Sequence, residues 1–151
     1  MGTKRLWVSI DRYGVMRPTD PDAGGLEAWK TKPNWLHWDL NPFHGGTSAA
    51  GFVPSKACRE ELSASYGSLR VQALYNLMDC PESHGGFHCV PGFVNDRFFE
   101  WIESNRQAYA NDVSTRNFVE VPVHDEMRRE TLRVPMRRGS LLIWNSQLPH
   151  G

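Results

Sequence analysis

His37 and Asp39 stand two positions apart in residues 34–40 (NWLHWDL). In an extended strand, side chains two apart share a face, with Cα atoms roughly 6.5–7 Å apart. An imidazole and a carboxylate at that spacing can hold one metal ion between them. Two imidazole nitrogens and one carboxylate, with further positions left open, form the ligand set of non-haem Fe(II). The second imidazole must come from a strand that is near in space and distant in sequence. His150 meets that requirement, because it follows the apolar run 140–145 and the pair Leu148-Pro149. A plainer reading competes: an aromatic strand whose histidine is packed and hydrogen-bonded. H-x-D alone is unspecific, and its weight depends on what surrounds it.

Other polar clusters are less suited to metal chemistry. Cys80, His84, His88 and Cys89 fall within ten residues, CPESHGGFHC. That spacing matches no zinc ribbon or finger, and adjacent His88 and Cys89 would face opposite sides of a strand. Gly85 and Gly86 lie between His84 and His88 and argue against a helical pair, so the segment reads as a turn. His44 and His124 sit in polar, loop-like contexts and read as surface residues; His44 follows the H-x-D strand closely enough to line a substrate mouth. Arg12 and Arg17 flank Gly14 and read as surface cations, with contact to an anionic substrate or co-substrate as the alternative. Trp38, between the two candidate ligands, points to the opposite face and reads as core, as does Trp144.

These side chains need a scaffold. Strand-like runs occupy residues 5–11, 34–40, 69–78, 87–90, 119–123, 132–136 and 140–145, separated by Gly, Pro and Asn/Asp turns. In the longest, Val71, Ala73, Tyr75 and Leu77 form one face, and Arg70, Gln72, Leu74, Asn76 and Met78 the other. Residues 94–109 repeat apolar side chains at helical spacing (Val94, Phe98, Trp101, Ile102, Tyr109), and Asn95 or Asp96 can cap that helix. A short helix is expected over 55–65. Many short strands with one substantial helix indicate a sandwich or barrel with a helical insert.

Composition sets outer limits. The chain has 151 residues, 17 Lys+Arg against 17 Asp+Glu, and 40% hydrophobic residues. That is one domain's length, with enough apolar content to fold. Zero net charge offers no basic field for phosphates, so nucleic acid is not expected as a partner. No apolar run approaches the roughly 20 residues of a membrane span. The start, MGTKRLWVSI, lacks a signal-peptide stretch, and Leu6 stands where a myristoylation signal needs Ser or Thr. Three cysteines make no disulfide framework, so a reducing, cytoplasmic setting is expected.

Three blocks occur in order: WLHWDLNPF (35–43), VQALYNLMDCPESHGGFHCVPGF (71–93) and RRGSLLIWNSQLPHG (137–151). Together they resemble the phytanoyl-CoA dioxygenase family of Fe(II)/2-oxoglutarate-dependent oxygenases, over nearly the whole chain from Trp7 to Gly151. The resemblance implies a mainly β fold, a double-stranded β-helix (a jelly-roll, cupin-like barrel) of about eight strands. It implies Fe(II) held by His37, Asp39 and His150, and 2-oxoglutarate as co-substrate, with Gln72 and Leu74 as candidate contacts to it; a simply solvated face, marked by Arg70 and Asn76, is the equal alternative. The partners would be dioxygen and a small-molecule or lipid-like substrate, which is hydroxylated as 2-oxoglutarate is decarboxylated to succinate. Family members continue past the distal His-Gly into a further strand bearing an Arg about ten residues on, whose guanidinium grips the co-substrate carboxylate. The sequence ends at Gly151, so the expectation is an incomplete domain over 1–151, without its last strand, with a frayed His150 and impaired turnover. A non-catalytic β-barrel remnant, or a metal-binding module without turnover, is the alternative. A cupin-like metal protein without 2-oxoglutarate fits less well, since cupins place more histidines on the first ligand strand.

Overall fold

Short antiparallel strands build the part of the chain that carries the candidate ligands. In the computed structural model the described residues are 13–39, 43, 71–109 and 118–151. The strand expected over 5–11, the helix over 55–65, Arg12 and His44 lie outside them. The chain divides into two compact units, Met1–Asn34 and Trp35–Gly151.

In the first unit, Asp20 caps a 3₁₀ turn, Pro21–Ala23, through a 3.0 Å bond from the Asp22 amide. Gly24 ends it at φ 75°, where glycine carries no steric cost. A second 3₁₀ turn, Glu27–Trp29, follows, and the Arg17 guanidinium lies 4.6 Å over the Trp29 ring.

The second unit holds two sheet layers. In one, β1 (His37–Trp38) pairs with β4 (Val119–Glu120), placing His37 opposite Glu120 and Trp38 opposite Val119. β3 (His88–Cys89) pairs with β5 (Leu132–Arg133). Residues 149–151 run between β1 and β3, and His150 bridges both His37 and Cys89. Five backbone bonds hold this segment, at 2.8–3.2 Å: His37 N–H to His150 O and its reciprocal, His88 N–H to Gly151 O and its reciprocal, and Val90 N–H to Pro149 O. The expected fraying of His150 is therefore not what the structure shows. In the other layer, β2 (Val71–Tyr75) pairs with β6 (Leu141–Asn145) from Val71 opposite Asn145 to Tyr75 opposite Leu141. Gly139, at φ 80°, makes the expected turn into β6.

The strands are shorter than the sequence runs because proline interrupts the ladders. Pro91, Pro122 and Pro135 follow β3, β4 and β5 closely, and none has an N–H to donate. Among the described residues the sheets remain small and antiparallel, without closing into a barrel. The expected helix is present as α1 (Asp96–Tyr109). Asn95, at φ 55°, precedes it and its carbonyl accepts from the Phe99 amide. Phe98 and Ile102 turn inward with Leu36, Trp38, Val90, Phe93, Val119, Val121 and Met127 to make the larger core. Each such side chain contributes about 1.5–3 kcal/mol on burial. A smaller core, Phe87, Cys89 and Met136 with Leu142, Trp144 and Leu148 against them, lies between the two layers. The sequence did not suggest the 3₁₀ helix Glu126–Glu130, which Asp125 caps by accepting from Met127 N–H at 2.9 Å. No described helix is long and apolar enough to cross a membrane.

Candidate metal centre

His37 sits in β1, flanked by β4 on one side and residues 149–151 on the other. Its pairing with His150 puts the two imidazoles on one face, with ring centroids 4.9 Å apart. Asp39 follows two residues after His37 and turns its carboxylate between them. Oδ1 lies 3.1 Å from His37 Nε2, and Oδ2 lies 3.1 Å from His150 Nε2. One ligand atom from each of the three falls within 4.8 Å of the others, and among the described residues this is the group so arranged. Metal–ligand bonds of about 2.1 Å place adjacent donors about 3 Å apart, which is the spacing of each His–Asp pair.

The rings are fixed from behind. His37 Nδ1 faces the Trp35 carbonyl at 3.1 Å, and His150 Nδ1 faces the Leu148 carbonyl at 2.9 Å. A carbonyl only accepts, so each Nδ1 carries a proton that it donates. Nε2 of each ring is the nitrogen turned toward Asp39, at hydrogen-bond distance from one of its oxygens. A cation bound at both Nε2 atoms would take the place of both hydrogen bonds at once. The donor set thus fits a divalent metal, and the Nδ1–carbonyl bonds are the supports that metal-binding histidines use. The imidazoles of His150 and His37, with Gln72, hold the Asp39 carboxyl well below the usual carboxylate range, against the opposing effect of burial.

Aromatic rings complete the walls. Trp35 stacks on His37 at 3.9 Å and 19°, and its Nε1–H donates to Glu120 Oε1 at 2.9 Å. Phe118 meets both rings edge-on. His150 lies between Phe87, at 5.8 Å, and Trp144, at 5.1 Å. The imidazole side chains are 5% and 6% exposed against 48% for Asp39, which is the most exposed member of the group.

Trp38 points away from the ligands, as the strand period requires, and is fully buried against Phe98 and Trp101 of α1. Its Nε1–H donates to the Gln147 carbonyl at 2.8 Å, pinning the turn that delivers His150. Gly151 has no room for a side chain: a Cβ there would lie 2.0 Å from the Trp35 carbonyl oxygen and 2.7 Å from His88 Cε1. Gln72 reaches across from β2 and donates to Asp39 Oδ2. Leu74 lies on the same strand face and is exposed. Cys80, His84, His88 and Cys89 form no ligand group. His88 is buried, and burial, then the nearby Arg133 charge, push its imidazole below the ordinary value. His84 and His124 are exposed.

Sequence reasoning missed Trp35, Glu120, Phe87 and the Gln72–Asp39 bond. Trp35 carried a usable signal, since it stands two residues before His37 and so shares its face. Glu120 and Phe87 come from distant strands, and nothing local marks them.

No family model matches the chain, and no solved structure does. The chain is 31% identical over 163 aligned positions to a Dictyostelium discoideum protein described as "Putative phytanoyl-CoA dioxygenase", an alignment that covers 97% of this chain and 42% of that protein. The chain thus spans less than half the length of this relative, and it is similar, at a distance, to a dioxygenase-like protein.

Proposed function

We propose that the chain is a member of the phytanoyl-CoA dioxygenase family and carries the centre of an Fe(II)/2-oxoglutarate-dependent oxygenase acting on a small-molecule or lipid-like substrate. One observation carries this reading. His37 Nε2, Asp39 Oδ1 and Oδ2, and His150 Nε2 converge, while both Nδ1 atoms are tied to backbone carbonyls. The likeness to the Dictyostelium protein, which covers 97% of the chain, supports it.

Bound iron would supply the activation of dioxygen, driven by decarboxylation of 2-oxoglutarate. The protein's own contribution is geometric. His37, Asp39 and His150 would hold one side of the ion and leave the other to small molecules. Trp35, Phe87 and Trp144 shield the imidazoles from water, and the half-exposed Asp39 marks the side of entry. Gln72 and Leu74, on the β2 face beside Asp39, are the proposed contacts for 2-oxoglutarate. No side chain has to act as a general base.

The test is anaerobic addition of Fe(II) and 2-oxoglutarate, followed by oxygen. A visible charge-transfer band before oxygen, then succinate formation, is the expected result. Iron binding without the band or succinate would replace this reading with a metal-binding module lacking turnover.

A further inference from the structure

Asp39 is the exposed member of the ligand group, and its carboxylate orientation is the least constrained by burial. In the structure both of its oxygens face imidazoles, and Oδ2 also accepts from the Gln72 side-chain amide. A cation bound at both Nε2 atoms would take the place of the imidazole contacts to the carboxylate. The Gln72 amide contact, made to one oxygen only, would persist.

Gln72 is well placed to hold it. It lies in the five-residue β2–β6 ladder opposite Trp144. Its side chain crosses from that layer to the end of β1. Its anchor is therefore a different sheet from the one that supplies both histidines. A carboxylate beside a divalent ion can bind through one oxygen or two. Binding through both fills a position that an incoming bidentate co-substrate and dioxygen would need, since three protein ligands leave three of six sites.

Building on the metal reading above, we propose that Gln72 is a positioning residue: it holds Asp39 Oδ2 so that the carboxylate binds the cation through Oδ1 alone. Gln72 touches the ligand and not the metal. It sets the number of open coordination positions, and it couples the centre to the spacing between the two sheet layers.

The experiment titrates Co(II) into the wild-type chain, Gln72→Met and Gln72→Asn, reading affinity by chelator competition and coordination by the visible bands. Met keeps the length of glutamine and removes the donor; Asn keeps the amide and falls one methylene short. Either variant suffices if the other fails to give a wild-type circular dichroism spectrum. The expected result is Co(II) binding weakened by about 10- to 100-fold, the range typical of lost outer contacts to metal ligands. It should be accompanied by a shift of the visible bands toward higher coordination number and lower intensity. A role confined to packing would leave the bands unmoved. Affinities within about twofold of wild type, with unchanged bands, would overturn the proposal and leave the metal centre standing. Absence of Co(II) binding to the wild type would overturn the centre and this proposal together.

Discussion

The two faces of β1 are built from neighbouring residues and follow opposite rules. Trp38 enters a closed apolar layer with Phe98 and Ile102 of α1, where all three are fully buried and the Trp38 indole N–H is satisfied. His37 and Asp39, on either side of it, enter a face where two imidazoles hydrogen-bond one carboxylate, each at 3.1 Å. The first face gains stability from what it excludes. The second gathers polar donor atoms that a cation can draw together. The contrast separates the residues that hold the chain together from those that wait for a ligand.

The contrast breaks most visibly at Trp38. Trp38→Ala leaves a large void in the α1 core and removes the donor to Gln147, and should cost about 3–5 kcal/mol of folding stability. Urea unfolding reads this directly. A loss under about 1 kcal/mol would show that the helix face is not the structural one. His37→Ala and His150→Ala should do the reverse. Each should weaken divalent-metal binding by about a hundredfold or more, while unfolding free energy stays within about 1–2 kcal/mol of wild type. A variant that unfolds but still binds metal when folded would invert the assignment.

Gly151 joins the faces. A methyl group there meets the Trp35 carbonyl and the His88 ring, so Gly151→Ala must displace the segment that carries His150. Metal affinity should fall by about tenfold, with a smaller change in the urea midpoint. Unchanged affinity would mean that the His150 backbone is not held where its hydrogen bonds place it.

The smallest effect is acid sensitivity. Asp39 has its carboxyl lowered in the folded state, so the metal-free fold gains stability above the unfolded carboxylate value of about 3.9. That gain is lost as pH falls below it, through the folded value. Asp39 is half exposed, so the contribution is under about 1 kcal/mol. Asp39→Asn should flatten the acid limb of a stability-against-pH curve below about pH 4; an unchanged limb would mean that the imidazoles do not act on the carboxylate.

Much of this arrangement was legible because it is local. A period of two assigns His37 and Asp39 to one side and Trp38 to the other, and a period near 3.6 places Phe98 and Ile102 on one stripe of α1. His150 could be nominated from its strand and its following glycine, but not its partners. That it bridges His37 and Cys89 depends on pairing between segments far apart in the sequence. Strand lengths were overestimated, because prolines without an N–H break the regular ladders inside or beside the apolar runs and leave single cross-strand bonds around them. The Gln72–Asp39 bond joins two layers, and a single sequence carries no signal for which layers face each other. The expected jelly-roll likewise depends on long-range closure, and the described residues show small antiparallel sheets without it.

Equilibrium titration with Fe(II) under anaerobic conditions tests whether His37, Asp39 and His150 form one metal centre. A single equivalent should bind per chain, be lost in both His37→Ala and His150→Ala and be retained in His84→Ala, whose imidazole is exposed and outside the group. Binding that is absent in the wild type, or equal in all four proteins, would contradict it.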